Sequence, residues 1–289
     1  MATQQTRLLA RFAVAPSVIM LFIWMIVPLA MTIWFAFHNY NLLDLSTYAW
    51  SSPIFTNFYY FVTDPGFWSS IFTTLLLVGS VLIITVVFGT LIALLMDQPF
   101  VGQGIVRLMV LAPFFVMPTV SALIWKNLFM NPASGLFAWI SGLLGLPPIV
   151  FFNNHPLPAI IIIVAWQWLP FATLILLTSI QSLDEEQKEA SQLDGAKPLS
   201  YFFHIVLPHM SRAITVVVLI ETIFLLNTFA EIFVTTNGAY NTANLPYAVY
   251  LAKASSDIGL ASAGALIAVV VANIVSFFLV RLIGKNLDA

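Results

Sequence analysis

Glu189-Ala190-Ser191-Gln192-Leu193-Asp194-Gly195-Ala196, continuing to Phe203, Ile205, Leu207 and Pro208, is the polar stretch that decides how this chain is read. It interrupts a sequence that is otherwise almost continuously apolar. Of 289 residues, 61% are hydrophobic and 8% are charged, against about 25% charged in soluble domains. A soluble core cannot hide that much apolar surface, so the solvent of this chain is lipid. The quoted stretch is too polar to lie there and marks a loop outside the bilayer.

Working outward from the loop, six runs are long and apolar enough to cross a membrane, which takes about 20 residues each. They lie at roughly 13–37, 71–95, 105–129, 157–181, 212–234 and 260–283, with Pro53, Pro65-Gly66, Gly102, Pro132 and Pro147-Pro148 among the breakers between them. The expected fold is an all-α polytopic membrane protein: one transmembrane domain over 1–289, with six helices and a cytoplasmic loop at 182–211. Arg7 and Arg11 precede the first run, which is too long for a cleaved signal and reads as an anchor that stays.

Lys and Arg set the orientation. With the N-terminus inside, the inner segments hold Arg7, Arg11, Arg107, Lys188, Lys197, Arg212, Arg281 and Lys285, and the outer ones only Lys126 and Lys253. Both termini and the 182–211 loop are then cytoplasmic. The first outer loop has no Lys or Arg and is rich in rings, from Tyr40 and Tyr48 to Tyr60 and Phe61. Such rings anchor a chain at the headgroups or offer an extracytoplasmic partner a surface, and the two roles are compatible.

The loop reads as two short helices and a turn. Asp184 can cap the first, with Gln187 at capping-box spacing. Glu185 and Glu186 suit the positive end of its dipole. Gly195 stands where a left-handed C-cap wants glycine, and Pro198 suits the first turn of a second helix. Leu199, Phe202, Phe203, Val206 and Leu207 recur at helical spacing, so a compact amphipathic knob is expected.

The long spacing E-A-x-x-x-D-G-A, then F-x-x-x-L-P with Ile205 between, resembles the cytoplasmic loop of permease subunits in ABC importers. Ser191 departs from the alanine more usual there. Leu111–Phe129, Trp166–Phe171 and Asn227–Asn244 are similar to the carbohydrate branch of that family, which includes maltose, polyol, glycerol-phosphate and other sugar permeases. The similarity spans roughly 70–285 and implies a neutral sugar or sugar alcohol as solute, leaning toward the sorbitol and mannitol type, with a disaccharide such as maltose or trehalose, or glycerol 3-phosphate, as the alternative.

That resemblance implies a bacterial inner-membrane subunit paired with a second permease as a heterodimer, above a dimer of ATPase subunits, and fed by an extracytoplasmic solute-binding protein. It implies that Glu189, Ala190, Asp194, Gly195 and Ala196 form the surface coupled to the ATPase. It also places solute contacts near Phe115, Val164, Gln167, Trp168, Glu221 and Asn227. The only G-K pair, Gly284-Lys285, lacks the phosphate-cradling motif, so ATP and Mg are expected on the partner ATPase and no cofactor on this chain.

Among the apolar runs, Glu221 and Glu231 are exceptional, because a carboxylate at the bilayer centre costs about 2.5–3.5 kcal/mol on insertion scales. Glu221 either faces a solute path, where it would disfavour anions such as glycerol phosphate, or is protonated or hydrogen-bonded to a helix of the partner permease. Glu231 either lies on that path or reaches the outer interface and pairs with Asn227. Pro113 and Pro118 are expected to bend the third run and free carbonyls. The four histidines lack metal spacing, and near-neutral charge argues against nucleic acid. An ion-coupled secondary transporter would explain the acids but leaves the 189–208 loop unaccounted for.

Overall fold

A computed structural model describes residues 4–284. Lys285 and the extreme termini therefore lie outside the described residues. Among the described residues, five helices are long and apolar enough to cross a membrane. They are α1 (Gln4–Ala36), α3 (Pro65–Asp97), α8 (Pro156–Ile180), the helical stretch Pro198–Leu225, and α14 (Ile258–Gly284). The third expected span is a broken pair. Its first arm is α4 (Gln103–Leu111) with a 3-10 turn at Ala112–Phe115, and its second is α5 (Pro118–Ile124) with a π-turn at Trp125–Phe129. The arms are bent by 107°.

Proline explains the break. Met117 adopts extended backbone, ψ 140, as the residue before a proline tends to, and Val116 is extended with it, ψ 131. Pro118 has no N–H, so it opens α5 at a position where none is needed.

The fifth expected span begins and ends earlier than 212–234. Pro198 starts α10 (Pro198–Tyr201), a π-turn follows at Phe202–Val206, and α11 (Leu207–Leu225) continues it. The second loop helix is thus the foot of the span rather than a separate element. Pro208 would clash with the carbonyl four residues back in a regular helix. The π-turn just before it, closed by Leu207 N–H on the Phe202 carbonyl, absorbs that conflict. Glu231 falls on a separate short helix, α12 (Ala230–Thr235).

The chain divides into two compact units. The first comprises residues 1–67 and 248–270. It holds a feature outside the all-α expectation, an antiparallel hairpin of β1 (His38–Asn41) and β2 (Asp44–Trp50) with His38 opposite Trp50. His38 stacks on Trp34 and lies against Trp50, with ring centroids 4.6 and 4.1 Å apart. Asn57, on α2 (Thr56–Thr63), donates to the carbonyls of Ala36 and His38. Gly259 is obligatory here: a Cβ would stand 2.3 Å from the His38 carbonyl oxygen.

The second unit, residues 68–247 and 271–289, carries the candidate site. Its core joins Ala93 and Met96 of α3, Ala172, Leu176 and Ile180 of α8, and Val206, Met210 and Val217. α3 and α8 meet closely, since a Cβ on Gly89 would lie 3.1 Å from that of Ala172. Small residues serve that purpose in lipid, where association rests on packing. Helices α6 (Leu136–Leu143) and α7 (Phe151–Asn154) connect the broken span to α8, and α13 (Leu245–Ala254) precedes α14.

Candidate functional site

The loop forms the knob its sequence suggests. Helix α9 (Glu185–Leu193) ends with Gly195 at φ +71. Ala196 N–H bonds the Ser191 carbonyl and Gly195 N–H that of Gln192, both at 3.0 Å. These are the two bonds of a Schellman closure, which needs a left-handed residue at this glycine. Asp184 has the extended backbone of an N-cap, but its side chain makes no capping hydrogen bond, so the capping box is not formed.

Of the α9 residues only Ser191 is buried; its hydroxyl donates to the Lys188 carbonyl at 2.7 Å. Glu189, Ala190, Asp194, Gly195 and Ala196 are all exposed. So are three large apolar side chains, Leu193 (90% exposed), Leu199 and Phe203. The base of the knob is fixed. Leu183, Tyr201 and Phe202 pack on the core, and His209 reaches Ser182 Oγ and the Ser179 carbonyl at 2.9 and 3.0 Å.

The residues expected to face a solute do not form one group. Glu221 is fully enclosed, where a ligand-facing position was expected. Its Oε2 accepts from Thr85 Oγ1 at 2.6 Å and its Oε1 has no partner. The hydrogen bond runs to α3 of the same chain and not to a partner permease. Val164 is likewise enclosed. Asn227 is exposed and donates to the Ile223 carbonyl at 2.8 Å, so it does not pair with Glu231.

Gln167, Trp168 and Phe115 do gather, at the bend. Gln167 is buried and its Nε2 donates to the Val116 carbonyl at 2.8 Å. Phe115 is 79% exposed. Trp168 lies 5.8 Å from Phe114, 5.9 Å from Phe171 and 5.2 Å from Phe224. Phe114, Phe171 and Phe224 escaped the sequence reading. The available signal was their spacing, Phe171 three residues after Trp168 and Phe224 three after Glu221, but only the bend brings Phe114 to them. The outcome is a partly exposed ring surface beside the Gln167 amide. A cavity of about 470 Å³ lies elsewhere, at the start of α8 against Pro147, Pro148, Phe151 and His155, and none of the expected residues lines it.

Lys126 was placed in an outer segment by its charge. Its ammonium donates to the carbonyls of Val234 and Thr235 at 2.9 and 2.8 Å, closing the C-terminus of α12 where a cation is favoured.

Residues 86–289 match the family described as binding-protein-dependent transport system inner membrane component. The chain belongs to that family. The match covers the ring surface, the knob and the core beneath it. This permease is 28% identical over 276 residues to the trehalose/maltose transport system permease protein MalF of Thermococcus litoralis, covering 93% of this chain and 90% of that protein. It is 33% identical over 185 residues to the probable ABC transporter permease protein y4oQ of Sinorhizobium fredii, covering 64% of this chain and 60% of that protein. Its fold matches the crystal structure of a bacterial ABC transporter involved in import of the acidic polysaccharide alginate, with TM-score 0.81 over 97% of this chain and 96% of that chain at 21% identity. The permease is thus a multi-pass membrane component of an ABC importer, and the ion-coupled reading has no support.

Proposed function

We propose that this permease passes a neutral sugar inward across the bacterial cytoplasmic membrane, driven by ATP hydrolysis on a partner. The observation that carries the reading is the knob. A Schellman-closed helix with bare Leu193, Leu199 and Phe203 is rooted in the membrane core through Tyr201 and Phe202. Apolar side chains exposed on a polar, ordered loop suit a protein cleft. An ATPase dimer that binds ATP and Mg would hold α9 there, and its closure would move the knob and the core beneath it as one body. A second permease, as heterodimer partner, and an extracytoplasmic binding protein complete the assembly, with both termini of this chain cytoplasmic.

The ring surface supports the solute class. Aromatic faces take the C–H faces of a pyranose. Glu221 is enclosed and bonded to Thr85, so the solute class is argued from the rings and not from its charge. The Thermococcus relative's name favours a disaccharide such as trehalose or maltose over sorbitol or mannitol, toward which the sequence leans. The test is uptake of labelled trehalose, maltose, sorbitol, mannitol and glycerol 3-phosphate in cells lacking this chain, before and after it is restored. Loss and rescue of a neutral disaccharide is the expected result. Rescue of glycerol 3-phosphate alone contradicts the solute class. Uptake that persists on a proton gradient after ATP depletion contradicts the importer reading.

A further inference from the structure

We propose that Gln167 acts as a positioning residue of the transport path: its amide latches the broken span at Val116 and fixes the bend, rather than touching the solute. The bend removes regular helical bonding at Val116, whose backbone is extended. A buried carbonyl left without a donor is costly in a membrane. Gln167 supplies that donor from α8, a neighbouring helix, at 2.8 Å. The amide orientation follows from chemistry, since turning it over would set Oε1 against the carbonyl oxygen.

Two further observations give the latch a role in function. The arm it holds carries Phe114, which packs on Trp168 and Phe171, so the angle of the bend sets the ring surface. The joint also has unused hydrogen-bonding capacity. Gln167 Oε1, Ser121 Oγ and Trp125 Nε1 are all buried without partners, and Trp125 lies 5.8 Å from Trp166, the neighbour of Gln167. Buried polar atoms are ordinarily paired. A joint with one acceptor and two donors to spare can form new bonds when the arm swings, which is what a two-position element requires.

The test uses the assembled transporter with its binding protein. The chain has no cysteine, so Leu108→Cys and Leu128→Cys, both exposed and one on each arm, can carry spin labels. With Gln167 present a narrow distance distribution is expected; with Gln167→Met, which keeps length and loses the donor, it broadens or shifts. An unchanged distribution overturns the proposal. Should Gln167→Met not assemble, Gln167→Leu, which is smaller and has no donor or acceptor, gives the same reading.

The kinetic arm rests on the proposed function, and uses maltose and trehalose as probes. Gln167→Met is expected to lower maximal uptake about tenfold, the factor for one buried hydrogen bond, with KM and the preference between the two sugars unchanged. Pro118→Ala, which acts on the same bend, is expected to be non-additive with it. A raised KM with unchanged maximal rate makes Gln167 a solute contact and overturns the proposal. If neither sugar is carried, the functional reading fails while the distance measurement still decides the latch.

Discussion

The loop at α9 and the bend at Val116 both interrupt apolar helix, and they are built in opposite ways. The loop is closed by its own backbone: Gly195 at φ +71 and the bonds from Ala196 and Gly195 finish α9 with no outside help. The bend is closed from a distance, by a side chain 51 positions later on another helix. The loop presents bare apolar side chains, whereas the bend buries its polar atoms. A self-closed element can transmit a push without deforming, and a latched one can change its angle. These are the properties wanted in a coupling surface and in a moving path.

The largest expected effect falls on the loop. Gly195→Val should abolish uptake while insertion and assembly persist, because a β-branched residue at positive φ is strained. Asn tolerates that region, so Gly195→Asn should retain much of the uptake. A Cβ there meets nothing within 4 Å, so backbone strain alone is tested. Normal uptake by the Val variant would refute the self-closed account.

Next comes the bare surface of the knob. Phe203→Asp should cut solute-stimulated ATP turnover at least about tenfold, since burying one unpaired charge at a contact costs several kcal/mol, and leave this chain folded, as judged by protease resistance. Unaltered turnover would show that this face is not used.

A smaller effect is expected in the membrane. Glu221→Ala leaves a cavity and strips Thr85 of its 2.6 Å partner, and should lower the stability of the complex in detergent by about 2 kcal/mol. Glu221→Gln keeps an acceptor and should cost less than half of that. Altered sugar preference at full stability in the Ala variant would return Glu221 to the solute path.

The smallest effect is at Asp184. A working N-cap is worth about 1 kcal/mol, but this side chain makes no capping bond. Asp184→Ala should therefore change stability by less than about 0.5 kcal/mol. A loss of a full cap's worth in thermal unfolding would mean that the box forms after all.

Legibility follows the same division. The helical class, four of the spans and the left-handed glycine depend on local composition and were readable directly. The position of Glu221 was not, since a carboxylate in an apolar run looks alike whether it meets a solute or Thr85. The prolines announced a bend, but neither its 107° angle nor the Val116–Gln167 bond is written near them. The fifth span began early because a π-turn accommodates Pro208, which local rules read as a boundary. The hairpin at 38–50 was hidden among rings that an interfacial loop also uses, and its close contact with Gly259 is long-range.

The most direct test of the central claim is cross-linking from Leu193→Cys, the most exposed apolar position of the knob in a chain with no other cysteine. In the assembled transporter, a lysine- and thiol-reactive reagent should join it to the ATPase subunit both with and without ATP, since a rigid knob stays in its cleft throughout the cycle. An assembled, ATP-hydrolysing complex in which Leu193→Cys never joins the ATPase would contradict the account.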